Sequence, residues 1–342
     1  LYDDNIFLDA RDAVSDVLWR ASAEVHLTLG EPSLEEASYA RLRYRPDAYF
    51  FQRTSSENTV DHDASLAVRK TWGRMAFDAS GGYQRTSGST VELGDRVPRD
   101  VGRGKAGLSY GWGAKTRFST EVNWQATAYR EAGYNDSREW SHEAFADHRT
   151  TEKLSLGLGG GYGRLHVDDG SDPQKFQRAL TRFRYDATGK ISLSGQVGLE
   201  FRQTEVDDET TPVFSLEAGY QMTAKSRFRV LAEQDVAAAS ALDGQNTLRT
   251  AVSLGLQHRF NDRFSASLDG GWERYDYEPV RASAISEEDR RDTSVFVRPA
   301  FRYSLGERWE AEIWYQFRTA NSTDPDEVYD VNRLGFNLGC SF

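Results

Sequence analysis

Arginine and glutamate recur at two-residue spacing along several segments of this 342-residue chain, which puts them on one face of an extended strand. Arg41, Arg43 and Arg45 alternate with Ala40, Leu42 and Tyr44, and Arg182 and Arg184 alternate with Phe183 and Tyr185. Arg298, Arg302 and Arg318 fall on the polar face of their segments, as do Glu121, Glu200, Glu310 and Glu312. Guanidinium rows among carboxylates make a selectivity or sliding surface for a charged or hydroxyl-rich solute when they line a lumen. The alternative is that they solvate an interior, or pair across it and close it.

Catalytic chemistry has less to build on. The sequence holds no Gly-x-Ser-x-Gly elbow, no His-Glu-x-x-His helix and no phosphate loop. His142 and His148 share a segment but stand six residues apart, too far along a strand to bind one metal without a partner. The lone Cys340 offers neither an intramolecular disulfide nor a multi-thiol site. Acidic runs at 167–172, 205–209, 286–289 and 323–327 match no EF-hand spacing and read as solvated loops. The expectation is a non-enzymatic protein with no catalytic residue, cofactor or metal.

The elements that carry these rows are long strands. From Val17 to Leu29 one face reads Val17, Trp19, Ala21, Ala23, Val25, Leu27, Leu29 and the other Leu18, Arg20, Ser22, Glu24, His26, Thr28. The same alternation runs through 121–128, 191–202, 294–304 and 309–318, so one face is apolar and the other is unfit for lipid. A small or polar turn with a basic residue precedes an apolar strand opening at Arg74, Arg117, Lys153, Lys190, Arg227, Arg263 and Arg308. Subtracting successive positions gives gaps of 43, 36, 37, 37, 36 and 45 residues, a period that signals a repeated unit. Each period has room for one hairpin of two long strands, whereas a propeller blade packs four into a similar length.

Composition agrees. Only 38% of residues are hydrophobic and 28% are charged, and no stretch approaches the roughly 18 apolar residues of a spanning helix. A formal net charge of -11 excludes nucleic acid as the expected partner, since phosphate binding needs a concentrated basic face. Sixteen Tyr and eight Trp suit interface girdles, with Trp19, Trp72, Trp112, Trp124, Trp140, Trp272 and Trp309 on outward positions. The fold expected is a single all-β domain over residues 1–342, a transmembrane antiparallel β-barrel of about 18 strands (16 being the nearest alternative). Tight turns at the basic markers would face the periplasm and longer acidic loops the exterior of a Gram-negative cell. Seventeen strands are clear; the one that evens the count is expected near Asn5–Leu8, within an N-terminal segment 1–16. The chain opens without a basic or apolar leader and reads as mature or trimmed.

Two segments carry resemblances. Leu334-Phe336-Leu338-Cys340-Phe342 resembles the terminal strand signal of outer-membrane barrels. Asp3-Asp4-Asn5-Ile6-Phe7-Leu8, then Ser15-Asp16 and the strand from Val17, resembles the start of a β-barrel porin family found beside exopolysaccharide biosynthesis and export loci. That likeness spans about the first thirty residues and implies an outer-membrane channel linked to polysaccharide secretion. It also implies a polysaccharide substrate, a periplasmic polysaccharide-export protein as partner, and lipid and lipopolysaccharide around the wall. A passive porin for small polar solutes and a non-conducting barrel that scaffolds a partner are the rival readings.

Overall fold

The computed structural model describes residues 1–31, 38–90, 95–281 and 290–342. The strands are β1 (Tyr2–Asp3), β2 (Asp16–Ser22), β3 (Val25–Gly30), β4 (Tyr39–Phe51), β5 (Thr59–Trp72), β6 (Met75–Thr86), β7 (Arg99–Trp112), β8 (Thr116–Tyr129), β9 (Ser137–Arg149) and β10 (Leu154–Val167). They continue as β11 (Gln174–Thr188), β12 (Ile191–Gln203), β13 (Asp208–Thr223), β14 (Ser226–Ala238), β15 (Gln245–Arg259), β16 (Phe264–Pro279), β17 (Arg291–Leu305), β18 (Trp309–Ser322) and β19 (Tyr329–Cys340). From β4 to β19 each strand is antiparallel to the next, a meander. Among the described residues the only helical elements are two three-residue 3-10 turns, Ser55–Glu57 and Pro325–Glu327.

β2 and β3 pair with β4 in one continuous register, Ser22 opposite Asp47 and Val25 opposite Tyr44. The alternating segment Val17–Leu29 is therefore one wall position, but it breaks at Ala23 and Glu24 instead of running through. The cause lies opposite: Pro46 has no N–H to give the ladder, and only Ala23 N to Pro46 O, at 3.4 Å, spans the break.

Closure settles the strand count. With seventeen positions from β2 round to β19, the first and last strands run parallel. β1 lies between them, antiparallel to both, pairing Tyr2 with Leu334 and Val17 and Asp3 with Arg333 and Asp16. The wall is thus a closed antiparallel barrel of eighteen positions, and its closing strand is Tyr2–Asp3, not Asn5–Leu8. Asn5 to Leu8 turn instead: the Asn5 side chain accepts from Asp9 N at 3.0 Å and donates to Asp9 O at 2.9 Å, and Leu8 adopts φ +58°. Ile6 packs with Leu18 and Phe51, and Leu8 with Ala320, Tyr329 and Val331, so this stretch tucks against the inner face.

Arg74, Lys153, Lys190, Arg263 and Arg308 sit in tight connections and Arg117 and Arg227 at the second position of the strands that follow such connections, while the opposite end carries longer ones such as 130–136, 168–173 and 323–328. The acidic run 286–289 lies outside the described residues. Apolar side chains form the outer face: Trp112, Trp124, Leu158, Ile313 and Phe336 are all exposed, while ion-paired side chains such as Arg43, Arg182 and Arg302 lie on the opposite face. So much contiguous exposed apolar surface fits lipid, not water.

Candidate functional site

Five neighbouring strands bring small and polar groups to one inner surface. Register aligns Ser65, Gly82, Arg103, Gln125 and Glu139 in one row across β5 to β9. The next row, one strand repeat away, is Ala67, Ser80, Lys105, Asn123 and Ser141. These residues line a cleft of about 490 Å³. It exists because β5 and β6 offer nothing larger than serine there, whereas β7 and β8 offer long polar side chains. Arg103 Nε donates to Gln125 Oε1 at 3.3 Å, and Glu121 holds both Lys105 Nζ, at 2.6 Å, and Asn123 Nδ2, at 3.1 Å. Hydroxyls, amides, two cations and the Glu139 carboxylate thus stand about 4.8 Å apart within each row, the strand spacing, and the two rows lie about 6.8 Å apart. That is a surface for a hydroxyl-rich ligand, with Arg103 as the cation that has no carboxylate partner among the described residues.

Beyond β9 the inner face is packed. Strand β10 presents Gly157, Gly159, Gly161 and Gly163 inward, and side chains from β9 and β11 meet over this lane. Arg182 pairs with Asp147 over Gly157, and Arg178 with Glu143 at 3.3 Å over Gly161. Phe145, Leu180 and Val213 cluster over Gly159. A Cβ on Gly163 would overlap the Phe176 ring, so only glycine admits that ring. Phe176 in turn supports two guanidinium groups, Arg178 and Arg202, each 4.7 Å from its centre. Both arginines pair with Glu200 at 2.7 Å, and Arg202 and Glu200 are 2% and 0% exposed.

The loop end is covered on the same side. Gln174, heading β11, exchanges hydrogen bonds with Asn246, heading β15, at 2.8 and 3.1 Å, four wall positions round. Asp169 ties the cover together, accepting from Gly244 N at 2.8 Å through its carboxylate and from Arg281 Nη1 at 3.0 Å through its carbonyl. Asn135 N donates to Ser240 O, and Glu205 N to Val280 O. Burial works to raise the Asp169 pKa, but hydrogen bonds from the Ser171 hydroxyl, Ser171 N and Gly244 N outweigh it and hold the group below the usual carboxylate range.

The charged residues singled out from spacing fall into separate groups. Arg43 pairs with Glu24 at 3.1 Å and Asp63 at 3.3 Å, and Arg45 with Asp47 at 3.0 Å, while Arg41 lies 6.0 Å from the Tyr39 ring. Arg302 reaches Glu310 at 3.2 Å and Glu312 at 2.8 Å; Arg298 reaches Glu312 at 3.6 Å and stacks on Trp314. Arg318 binds Glu273 at 3.1 Å and Ser294 at 3.0 Å. Arg182 and Glu200 belong to the packed lane, and Arg184, nearer the tight turns, is exposed. Only Glu121 borders the cleft.

Sequence reasoning missed Arg103, Lys105 and Glu139 because their outward neighbours hide the alternation. Gly102 and Gly104 stand where apolar side chains are expected, since Trp124 lies over both, 3.0 Å and 3.7 Å from the Cβ positions they lack. The usable signal was Gly102-Arg103-Gly104-Lys105 itself, polar at every second residue.

Residues 121–342, more than half of the chain, match the model of the outer membrane protein beta-barrel domain family. Compared by sequence with curated proteins, the chain matches none. Among solved structures it is similar to the copper transporter OprC, at 10% identity and TM-score 0.51, over 94% of this chain and 64% of that one. It is similar also to the FrpB iron transporter of Neisseria meningitidis in the F5-1 apoprotein form, at 10% identity and TM-score 0.50, over 92% and 63%. The chain spans less than two thirds of either protein, and at this identity the likeness is one of fold.

Proposed function

This chain belongs to the outer membrane protein beta-barrel domain family and is integral to the outer membrane, and from that premise we propose that it is a channel for a secreted polysaccharide, working with a periplasmic export partner. The supporting observation is the cleft. Its two rows set donors and acceptors at intervals close to the width of a sugar ring, and Arg103, held only by the neutral Gln125 among the described residues, adds positive charge suited to acidic sugars. The opening segment Asp3–Leu8, similar to that of the exopolysaccharide-linked porins, supports the same substrate class. Passage along such a wall is passive; the energy comes from the export machinery.

Single-channel conductance in planar bilayers, with neutral and anionic polysaccharides added, tests this. The expected result is conductance that anionic polymer blocks and that Arg103→Ser with Lys105→Ser leaves unblocked. Conductance indifferent to polymer, with free flux of small solutes, would make the protein a passive porin. The covered loop end favours one further reading, a non-conducting barrel that scaffolds a partner; silence in every condition, including with the cover weakened, would establish it.

A further inference from the structure

Seven tight turns, from the β5–β6 turn round to the β17–β18 turn, hold a cation at one repeated place. The carbonyl of that residue accepts from an N–H of the neighbouring hairpin: Arg74 O from Gly111 N, Lys115 O from Arg149 N, Lys190 O from Gln221 N and Lys225 O from Arg259 N, all at 2.8 Å. Lys153 O, Arg263 O and Arg308 O accept likewise from Asp186 N, Ser304 N and Ser341 N, at 2.8 or 2.9 Å. Register therefore puts Lys115 and Lys225, and not Arg117 and Arg227, in the repeat. Because each backbone is pinned to the next hairpin, the cations form a fixed row along the rim, two strand positions or about 10 Å apart.

All seven residues are exposed, and none pairs with a carboxylate among the described residues, whereas Arg69, Arg229 and Arg302, further along the inner face, each do. The same turns hold the carboxylates Glu152, Asp262 and Glu307, and Asp186 lies near Lys190, but Arg117, Arg149, Arg227 and Arg259 flank them as well. Positive charge thus dominates this end of a chain whose net charge is -11. The opposite end presents exposed carboxylates such as Asp168, Asp172 and Asp207.

Two of the lysines lean along the rim and not into the lumen. Lys153 Nζ donates to Ala187 O at 3.2 Å and Lys225 Nζ to Phe260 O at 3.0 Å, each across to the next hairpin. On the outer face the adjoining side chains are apolar: Trp72, Trp112, Phe260 and Trp309 are all exposed. Trp112 packs on Phe118 beside Lys115, with ring centres 5.5 Å apart, and Phe260 on Phe264 beside Arg263, at 5.1 Å. Cations at the edge of a lipid-facing aromatic belt stand at the level of headgroup phosphates.

We propose that this rim binds anionic phospholipids of the periplasmic leaflet, one headgroup phosphodiester to each turn cation, with the acyl chains against the aromatic belt. The bilayer is the source of the phosphate, because a free anion would leave the exposed aromatics unused and a ligand in the lumen would meet inner-face arginines such as Arg117 and Arg149. The inference rests on the position of the barrel in the outer membrane and is independent of what the barrel conducts.

Tryptophan quenching in bilayers tests it, since Trp72, Trp112 and Trp309 lie at the rim. The barrel is reconstituted in phosphatidylcholine containing an equal fraction of either phosphatidylglycerol or phosphatidylcholine brominated on the acyl chain. Brominated phosphatidylglycerol should occupy the barrel surface about fivefold better, the gain of one cation per headgroup, and about 1 M salt should abolish the preference. Arg74→Ser, Lys115→Ser and Arg308→Ser together should bring the two lipids near parity, whereas Arg117→Ser with Arg149→Ser should leave the preference in place. Equal quenching by the two lipids, a preference that salt leaves intact, or one that survives the three turn substitutions would overturn the proposal. Abolition by soluble glycerol phosphate would also overturn it, making the rim a site for free phosphate. The salt titration uses the unmodified protein and decides the matter even if the variants fail to assemble.

Discussion

Arg103 differs from most inner-face arginines in how it is held. Arg103 touches only the neutral Gln125, whereas Arg43 sits between two carboxylates and Arg202 against Glu200. Charge already neutralised by a fixed partner contributes little to the field in a pore, so Arg103 and Arg41 should dominate ion selectivity, and Lys105, paired with Glu121, should add less. Replacing Arg103 and Lys105 with serine should shift the reversal potential under a salt gradient toward cation preference, and Arg41→Ser should do so more than Arg45→Ser. Equal effects would show that pairing does not silence Arg45. At Glu200 the cost is structural. Arg202→Ala leaves that buried carboxylate with Arg178 alone, and stripping one partner from a buried ion pair costs about 3 kcal/mol, readable as a lower urea midpoint. The double change Glu200→Gln with Arg202→Met should recover part of that loss.

At the level of elements, strand β10 is the hinge of the inner packing. Its glycine lane lets side chains two strands apart meet, so one strand without side chains creates three contacts between its neighbours. Gly163→Ala should displace Phe176 and loosen Arg178 and Arg202 together. Overpacking of this kind costs about 1–3 kcal/mol, and heat-modifiability on gels or urea unfolding would measure it. Gly113→Ala, at a turn with open space around it, should cost only the strain of its positive φ of 69°. If both variants behave alike, the glycine lane does not carry the packing described.

For the whole molecule, the question is whether the covered loop end is a gate. Asp169 joins strands far apart in sequence, and its folded pKa lies below the ordinary carboxylate value. Its contribution is therefore complete above about pH 4 and lost as pH falls through the lowered folded value. Conductance should rise on acidification through that window and not on alkalinisation. Asp169→Asn, which cannot accept as a carboxylate, should show the raised conductance already at neutral pH. A pH-independent conductance shared by both proteins would mean that the loops cover the mouth without controlling it.

The alternation of residue types determined the strands, their two faces and the basic tight turns, because in a membrane barrel each strand meets lipid on one side and polar groups on the other, a local and repeated constraint. It also marked inner-face charges such as Arg43, Glu121 and Arg302 from their own neighbours. What it left open depends on register between strands. That Ser65, Gly82, Arg103, Gln125 and Glu139 form one row follows from four pairings set by four connections of different length. The closing strand was misplaced for the same reason, since Tyr2–Asp3 earns its position only by fitting antiparallel between β2 and β19. The contacts of the packed lane likewise bring together Asp147 with Arg182 and Gln174 with Asn246, distances along the chain that no local pattern encodes. Tertiary structure alone decides which inner charges stay open to a solute, because neutralisation across the lumen is a property of curvature and register, not of spacing.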